Sequence, residues 1–208
     1  MTETPYRREA GYAERYRDQR FRHGHGRSTD QRERTALRAL LAQGSWPTGP
    51  WLDCPSGAGR MRGELPGTTV LVDRDPEMLR AAGGDEPRVC ASVHALPFAD
   101  ATFAGVLCHR LLQHIPTPAE RITILRELAR VSRGPIVVSF FDARSLQHLR
   151  RTVRRWFGKT RSGRCAVSRS AFLAELAAAQ LRPLAFHALC RGVAEQTLVL
   201  AAHHPAAR

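Results

Sequence analysis

One lysine, Lys159, occurs in the 208 residues, and no apolar run approaches the length of a membrane-crossing helix. The charged N-terminus lacks the apolar segment of a secretory signal, so a cytoplasmic location is expected. Five cysteines, an odd number without a Cys-x-x-Cys pair, argue against a disulfide framework or a structural zinc site, and no metal site is expected. Neither Gly-x-Gly-x-x-Gly nor Gly-x-x-x-x-Gly-Lys-Ser/Thr is present, which removes the usual signatures of dinucleotide and nucleoside triphosphate binding. Internal repeats and low-complexity linkers are also missing. A single domain spanning 1–208, large enough for a substantial core, is expected.

Acid is scarce too. Nineteen acidic residues face 32 basic ones, for a net charge of +13, and all but one of the basic residues are arginine. Much of the excess falls between 144 and 169, where Arg144, Arg150, Arg151, Arg154, Arg155, Lys159, Arg161, Arg164 and Arg169 meet no acid. Leu146, Leu149, Val153, Trp156 and Phe157 recur there at helical spacing. Three readings stay open for this segment: a solvated arginine face over an apolar stripe packed on the domain, a lid recognising an acidic or phosphorylated acceptor, or docking to an anionic membrane surface or nucleic acid.

What the chain does contain is concentrated around Trp51-Leu-Asp-Cys-Pro-Ser-Gly-Ala-Gly59. A short apolar strand runs into Asp53, a small-residue turn follows, and a second strand, Thr69-Val-Leu-Val-Asp73, again ends in a carboxylate. Glycines let the backbone approach a ligand closely. An acid ending the next parallel strand can accept both ribose hydroxyls. Either acid alone could cap a turn, and the glycines alone could serve a tight turn. Their joint spacing of 20 residues points instead to a nucleoside site at the carboxyl edge of an α/β sheet. An acid just before the glycines repels phosphate but suits a ligand carrying ammonium and sulfonium groups, as S-adenosylmethionine does.

With these motifs in place, the sequence resembles the class I S-adenosylmethionine-dependent methyltransferases, especially the small-molecule group that includes the quinone C-methylases. Asp53-Cys-Pro-Ser-Gly57-Ala-Gly59 is similar to the first motif, with Pro55 at its first glycine, and Leu71-Val-Asp73-Arg-Asp-Pro-Glu-Met-Leu79 to the second. Ala95-Leu-Pro-Phe-Ala-Asp-Ala-Thr-Phe103 matches the third, with Ser92 where an acid is usual; Ala104-Gly105 replaces the customary Asp of the fourth. Leu111-Leu-Gln-His-Ile115 and Ile124–Val131 follow in family order. The resemblance covers residues 50–141. It implies Asp53, Cys54, Pro55, Ser56, Gly57 and Gly59 at the methionine end of the cofactor and Asp73 at the ribose. Arg74, Ser92 and Val93 would meet the adenine, with Cys108 also in the cofactor set.

The chain alternates strands and helices in the doubly wound manner. Strands are expected near 50–54, 69–73, 88–91, 104–108, 135–140, 184–189 and 196–202, with helices near 58–64, 75–82 and 118–131. The resemblance implies a Rossmann-like seven-stranded α/β sheet, mostly parallel, with its last strand antiparallel. Ahead of this core, residues 1–45 read as a helical cap. A short helix over 6–22, carrying Tyr6, Tyr12, Tyr16 and Phe21, is broken at Gly24-His-Gly26, and Thr29 or Asp30 caps a second helix running to Gly44. Residues 50–141 form the cofactor-binding core, 142–167 a basic insertion or lid, and 168–208 a helix capped by Ser168 and the last strands.

Methyl transfer from a sulfonium needs proximity and alignment and, for hydroxyl or carbon acceptors, a base. Cys108, His109 and His114 follow the fourth strand, and His114 and His109 are the candidate bases. Neither the Asn/Asp-Pro-Pro-Tyr/Phe loop nor the Pro-Cys pair of nucleic-acid base methylases occurs there. Cys54, Cys90 and Cys108 are expected near one another, chiefly as small buried apolar residues. The expected activity is methylation of a small acceptor, with an anionic one favoured, at oxygen, carbon or nitrogen. The rivals are RNA methylation through the basic segment and a non-catalytic cofactor-binding or partner-docking role. Acceptor atom and oligomeric state stay open.

Overall fold

The computed structural model describes residues 11–19, 24–156 and 163–204. Seven strands, β1 (Trp51–Asp53), β2 (Thr69–Asp73), β3 (Arg88–Cys90), β4 (Gly105–Cys108), β5 (Ile136–Phe141), β6 (Leu181–Ala188) and β7 (Gln196–His203), form one sheet in the order β3-β2-β1-β4-β5-β7-β6. The first five pair in parallel, and β7 runs antiparallel between β5 and β6. Central strands are apolar runs buried along their length, as β1, β4 and β5 are, because helices cover both faces. Pro183 sits on the edge strand β6 beside a register shift, where a missing amide donor costs no ladder bond.

Helices α1 (Tyr12–Gln19), α2 (Gly24–Leu41), α3 (Pro76–Ala81), α4 (Pro118–Val131), α5 (Leu146–Trp156) and α6 (Arg169–Ala178) surround the sheet. Three starts are capped as their sequences dictate. Asp75, Thr117 and Ser168 accept the amides of Glu77, Glu120 and Ala171, and Pro76 and Pro118 occupy first-turn positions. On one face, Leu52, Val106, Val138 and Phe140 pack with Leu125 and Leu128 of α4 and Phe172 and Leu176 of α6. On the other, Trp51, Leu107, Val137, Leu198 and Leu200 pack with Ala36, Leu37 and Leu40 of α2. Arg121 of α4 and Glu175 of α6, both buried, join the two helices through paired hydrogen bonds.

Four expectations need correction. No α-helix forms over 58–64; the chain makes turns and a single 3-10 turn at Arg62–Glu64. Gly57 and Gly59 hold φ of +53° and +67°, and too few residues remain before Pro66-Gly67 to nucleate a helix. Gly24-His-Gly26 does not separate the N-terminal helices but opens α2, with φ +51° at Gly24 marking the turn. Neither Thr29 nor Asp30 caps, since both lie inside α2, and Asp30 pairs instead with Arg34 and Arg60. Finally, β6 begins at Leu181, three residues ahead of the expected position. Tyr6, Phe21, Phe157, Lys159 and Arg161 lie outside the described residues.

Candidate cofactor site

Asp53 and Asp73 end adjacent strands. Trp51 and Leu71 belong to clusters on the α2–α3 face, so the alternation of a strand puts both carboxylates on that same side. The turn between them is tied down by its backbone: Cys54 N–H donates to Leu107 O (2.9 Å) and Ser56 N–H to Val72 O (2.8 Å). Gly57 N–H donates to Asp73 Oδ2 at 2.8 Å, and Asp75 N–H to Asp73 Oδ1 at 2.9 Å. Each Asp73 oxygen keeps further acceptor capacity. The two glycines differ in purpose. A Cβ at Gly59 would lie 3.1 Å from Ala82 Cβ, whereas one at Gly57 would meet nothing within 4 Å, leaving its surface open to a ligand.

Asp53 is buried, and its Oδ2 has no hydrogen-bond partner. Burial, opposed by Arg60 and reinforced by Asp73, pushes its pKa up to about 8. A buried carboxyl with an unmet oxygen is costly unless something else meets it. An ammonium group would do so and would return the proton to solvent. Asp53, the open Gly57 backbone and Asp73 therefore fit an adenosyl amino acid such as S-adenosylmethionine. Among the described residues no cluster of His, Cys, Asp or Glu fits a metal ion.

Other predicted positions fall around this turn. Pro55 follows a cis peptide and is half-buried; Ser56 is buried; Arg74 is exposed just beyond Asp73. Val93 is buried, and Ser92 is half-buried with its Oγ accepting His94 N–H at 3.4 Å. Ser92 Oγ also lies 3.2 Å from His94 Nδ1, and His94 Nε2 is 3.1 Å from Glu120 Oε1. The Leu96–Phe103 loop is clamped by Arg130, which donates to the carbonyls of Leu96 and Phe98 and pairs with Glu127 and Asp100. The side chains of Cys54 and Cys108 turn to the opposite face, into the α4–α6 core, and burial pushes both thiols up, keeping them protonated. Cys90 is exposed on edge strand β3. Only Cys54 and Cys108 of the three are thus brought together.

His109 is buried beneath α2. Arg60 Nη2 lies 3.3 Å from its Nδ1, and Gln196 Nε2 is 2.8 Å from its Nε2, with Glu33 Oε1 at 3.8 Å. Burial, then Arg60 and Arg110, hold its pKa well below the usual range. The ring is neutral. His114 lies in the 3-10 turn Leu112–His114 with its side chain exposed.

The sequence reading named Asp30 only as a helix cap and did not single out Glu33, Arg60, Arg110 or Gln196. Arg60 pairs with both Asp30 and Glu33, and Arg110 Nη1 lies 3.5 Å from Glu33 Oε1. Arg60, directly after Gly59, was the one findable member. Glu33 and Gln196 come from opposite ends of the chain. The departures at Ala104 and Gly105 also acquire reasons. Ala104 is buried in the apolar α2 cluster, and a Cβ at Gly105 would sit 2.5 Å from the Trp51 indole.

A crevice of this kind at the carboxyl edge of a 3-2-1-4-5-7-6 sheet, with one antiparallel strand, defines the class I S-adenosylmethionine-dependent methyltransferase fold. Residues 52–135 match the family model described as a methyltransferase domain. Its fold is similar to that of magnesium protoporphyrin IX methyltransferase from Synechocystis PCC 6803 with bound SAH (TM-score 0.70, 14% identity, covering 86% of this chain and 85% of that one). It is also similar to an S-adenosylmethionine-dependent methyltransferase from Clostridium acetobutylicum (0.67, 13%, 84% and 92%) and to another from Methanosarcina mazei (0.61, 19%, 74% and 91%). No curated protein matches the chain by sequence.

Proposed function

We propose that this protein is a cytoplasmic enzyme that transfers a methyl group from S-adenosylmethionine to a small acceptor, with an anionic one favoured. The observation that carries the reading is the buried, unmet Asp53 oxygen beside the open Gly57 turn and the anchored Asp73. Asp53 receives the ammonium group, and the backbone of Cys54, Pro55, Ser56, Gly57 and Gly59 lines the methionine end. Asp73 accepts the ribose hydroxyls. Arg74, Ser92 and Val93 border the adenine. When bound, the cofactor supplies a methyl group already activated on a sulfonium, so the protein's task is alignment and water exclusion.

The acceptor side follows β4. Arg110, beside Glu33, offers a guanidinium suited to a carboxylate or phosphate. His114 is the candidate proton acceptor there. His109, with each ring nitrogen facing a protein group, holds Arg60 and Gln196 in place. Calorimetry with S-adenosylhomocysteine tests the reading: wild type binds and Asp73→Ala binds far more weakly. Equal binding by both, or by neither, overturns it.

A further inference from the structure

Helix α5 is built inside out. Its polar side chains hold it to the body: Gln147 Oε1 accepts Glu195 N–H at 3.2 Å, and Arg151 Nη1 donates to Glu195 Oε2 at 2.9 Å. Its first turn is fastened by backbone bonds, Leu146 N–H to Gly192 O (2.8 Å) and Gln147 N–H to Val193 O (3.0 Å). Leu146, Leu149 and Val153 face away, at 39%, 58% and 38% exposed, and Val193 on the adjoining β6–β7 turn is 47% exposed. Of the five large apolar side chains exposed among the described residues, four lie on this one face, with Leu184 the exception. By contrast, the apolar positions of α2 and α4 are spent on the core: Leu37, Leu40, Leu125 and Leu128 are all fully buried. Of the expected stripe, Leu146, Leu149 and Val153 are therefore not packed on the domain, while the side chains of Trp156 and Phe157 lie outside the described residues.

Charge selects what covers the face. From 143 to 174 the sequence contains no acid, and exposed Arg144, Arg150 and Arg191 flank the apolar stripe. A second copy would bring like charge against like charge. A nucleic acid would gain phosphate contacts but would strand the aliphatic centre. A bilayer rich in anionic lipid meets both demands: aliphatic side chains enter the acyl boundary while guanidinium groups stay at the phosphates.

We propose that α5 and the β6–β7 turn form a docking face for an anionic phospholipid surface. Attachment is peripheral, as no helix among the described residues is long and apolar enough to cross a membrane. Helix α5 starts five residues beyond the carboxyl end of β5, the sheet edge that also carries Asp53 and Asp73, so docking turns the acceptor side toward the lipid interface. The inference does not depend on the cofactor reading.

Co-sedimentation of the full chain with vesicles of phosphatidylcholine alone, or mixed with phosphatidylglycerol, provides the test. The wild type pellets with the mixed vesicles and less than about a tenth as strongly with the neutral ones, and added salt weakens the binding. Because Leu149 and Val153 are exposed, Leu149→Glu with Val153→Glu leaves the thermal midpoint unchanged and lowers vesicle binding more than about tenfold. No binding to the mixed vesicles, or binding that survives the double substitution, overturns the proposal. So does a lipid-free dimer that the double substitution dissolves, which would make a second copy the occupant.

Discussion

Two buried carboxyls, Glu175 and Asp53, lie in opposite halves of the molecule and meet opposite fates. Glu175 takes both arms of Arg121, which also donates to Ile115 O at 2.8 Å, and every demand of that pair is met within the protein. Asp53 is as deeply buried yet keeps an oxygen without a partner, with Arg60 nearby occupied by Asp30 and Glu33. The first arrangement joins α4 to α6 and has nothing left to offer a ligand. The second is unfavourable in isolation and becomes favourable only when a cation arrives. Burial alone does not mark a functional acid; an unmet bond does.

The contrast can be broken at either end. Arg121→Met strands Glu175 and costs about 3–5 kcal/mol of stability in urea unfolding, with no direct effect on the cofactor turn. Asp73→Ala removes the Gly57 anchor and the ribose acceptors together, and weakens S-adenosylhomocysteine binding by about 2–3 kcal/mol in calorimetry. Gly57→Ala keeps the space but not the backbone freedom. With φ at +53° it loses about 1–2 kcal/mol, read as a lower melting temperature.

The most specific effect is a change with pH rather than a single loss. Asp53 has a folded pKa of about 8 against an ordinary 3.8, so the folded state holds its proton more tightly. Its contribution to stability is complete below the ordinary value and declines as pH rises toward 8, by about 1 kcal/mol per unit. In urea unfolding between pH 5 and 9, Asp53→Asn removes that decline relative to wild type while weakening the cofactor. Calorimetry at pH 7 in buffers of different ionisation enthalpy should detect a proton released on binding by wild type and none by Asp53→Asn.

The strands and their order of appearance were legible because each is a local apolar run closed by a turn, and the motif acids sit at the ends of those runs. Nothing local distinguishes Gly57, which faces open space, from Gly59, which packs on Ala82; the difference lies in what the fold brings alongside. The Glu33–Arg60–His109–Gln196 group was illegible for the same reason, since its members meet only once α2 crosses the end of β4 and β7 closes beside it. For α5, periodicity identified the helix and its stripe but not the side that faces the protein. That choice was made by Glu195, forty-four residues beyond the helix centre, drawing Arg151 inward.

The indole of Trp51 has one seat along β4. Its partner in the ladder is Gly105, the one rung without a side chain, and sliding β1 by two residues toward the carboxyl end of β4 would drive the ring into Leu107, which shares its face. The aromatic thus acts as an alignment key for the two central strands. Because β1 ends in Asp53 and β4 runs on to His109, the same key sets how the cofactor half of the crevice lines up with the acceptor half.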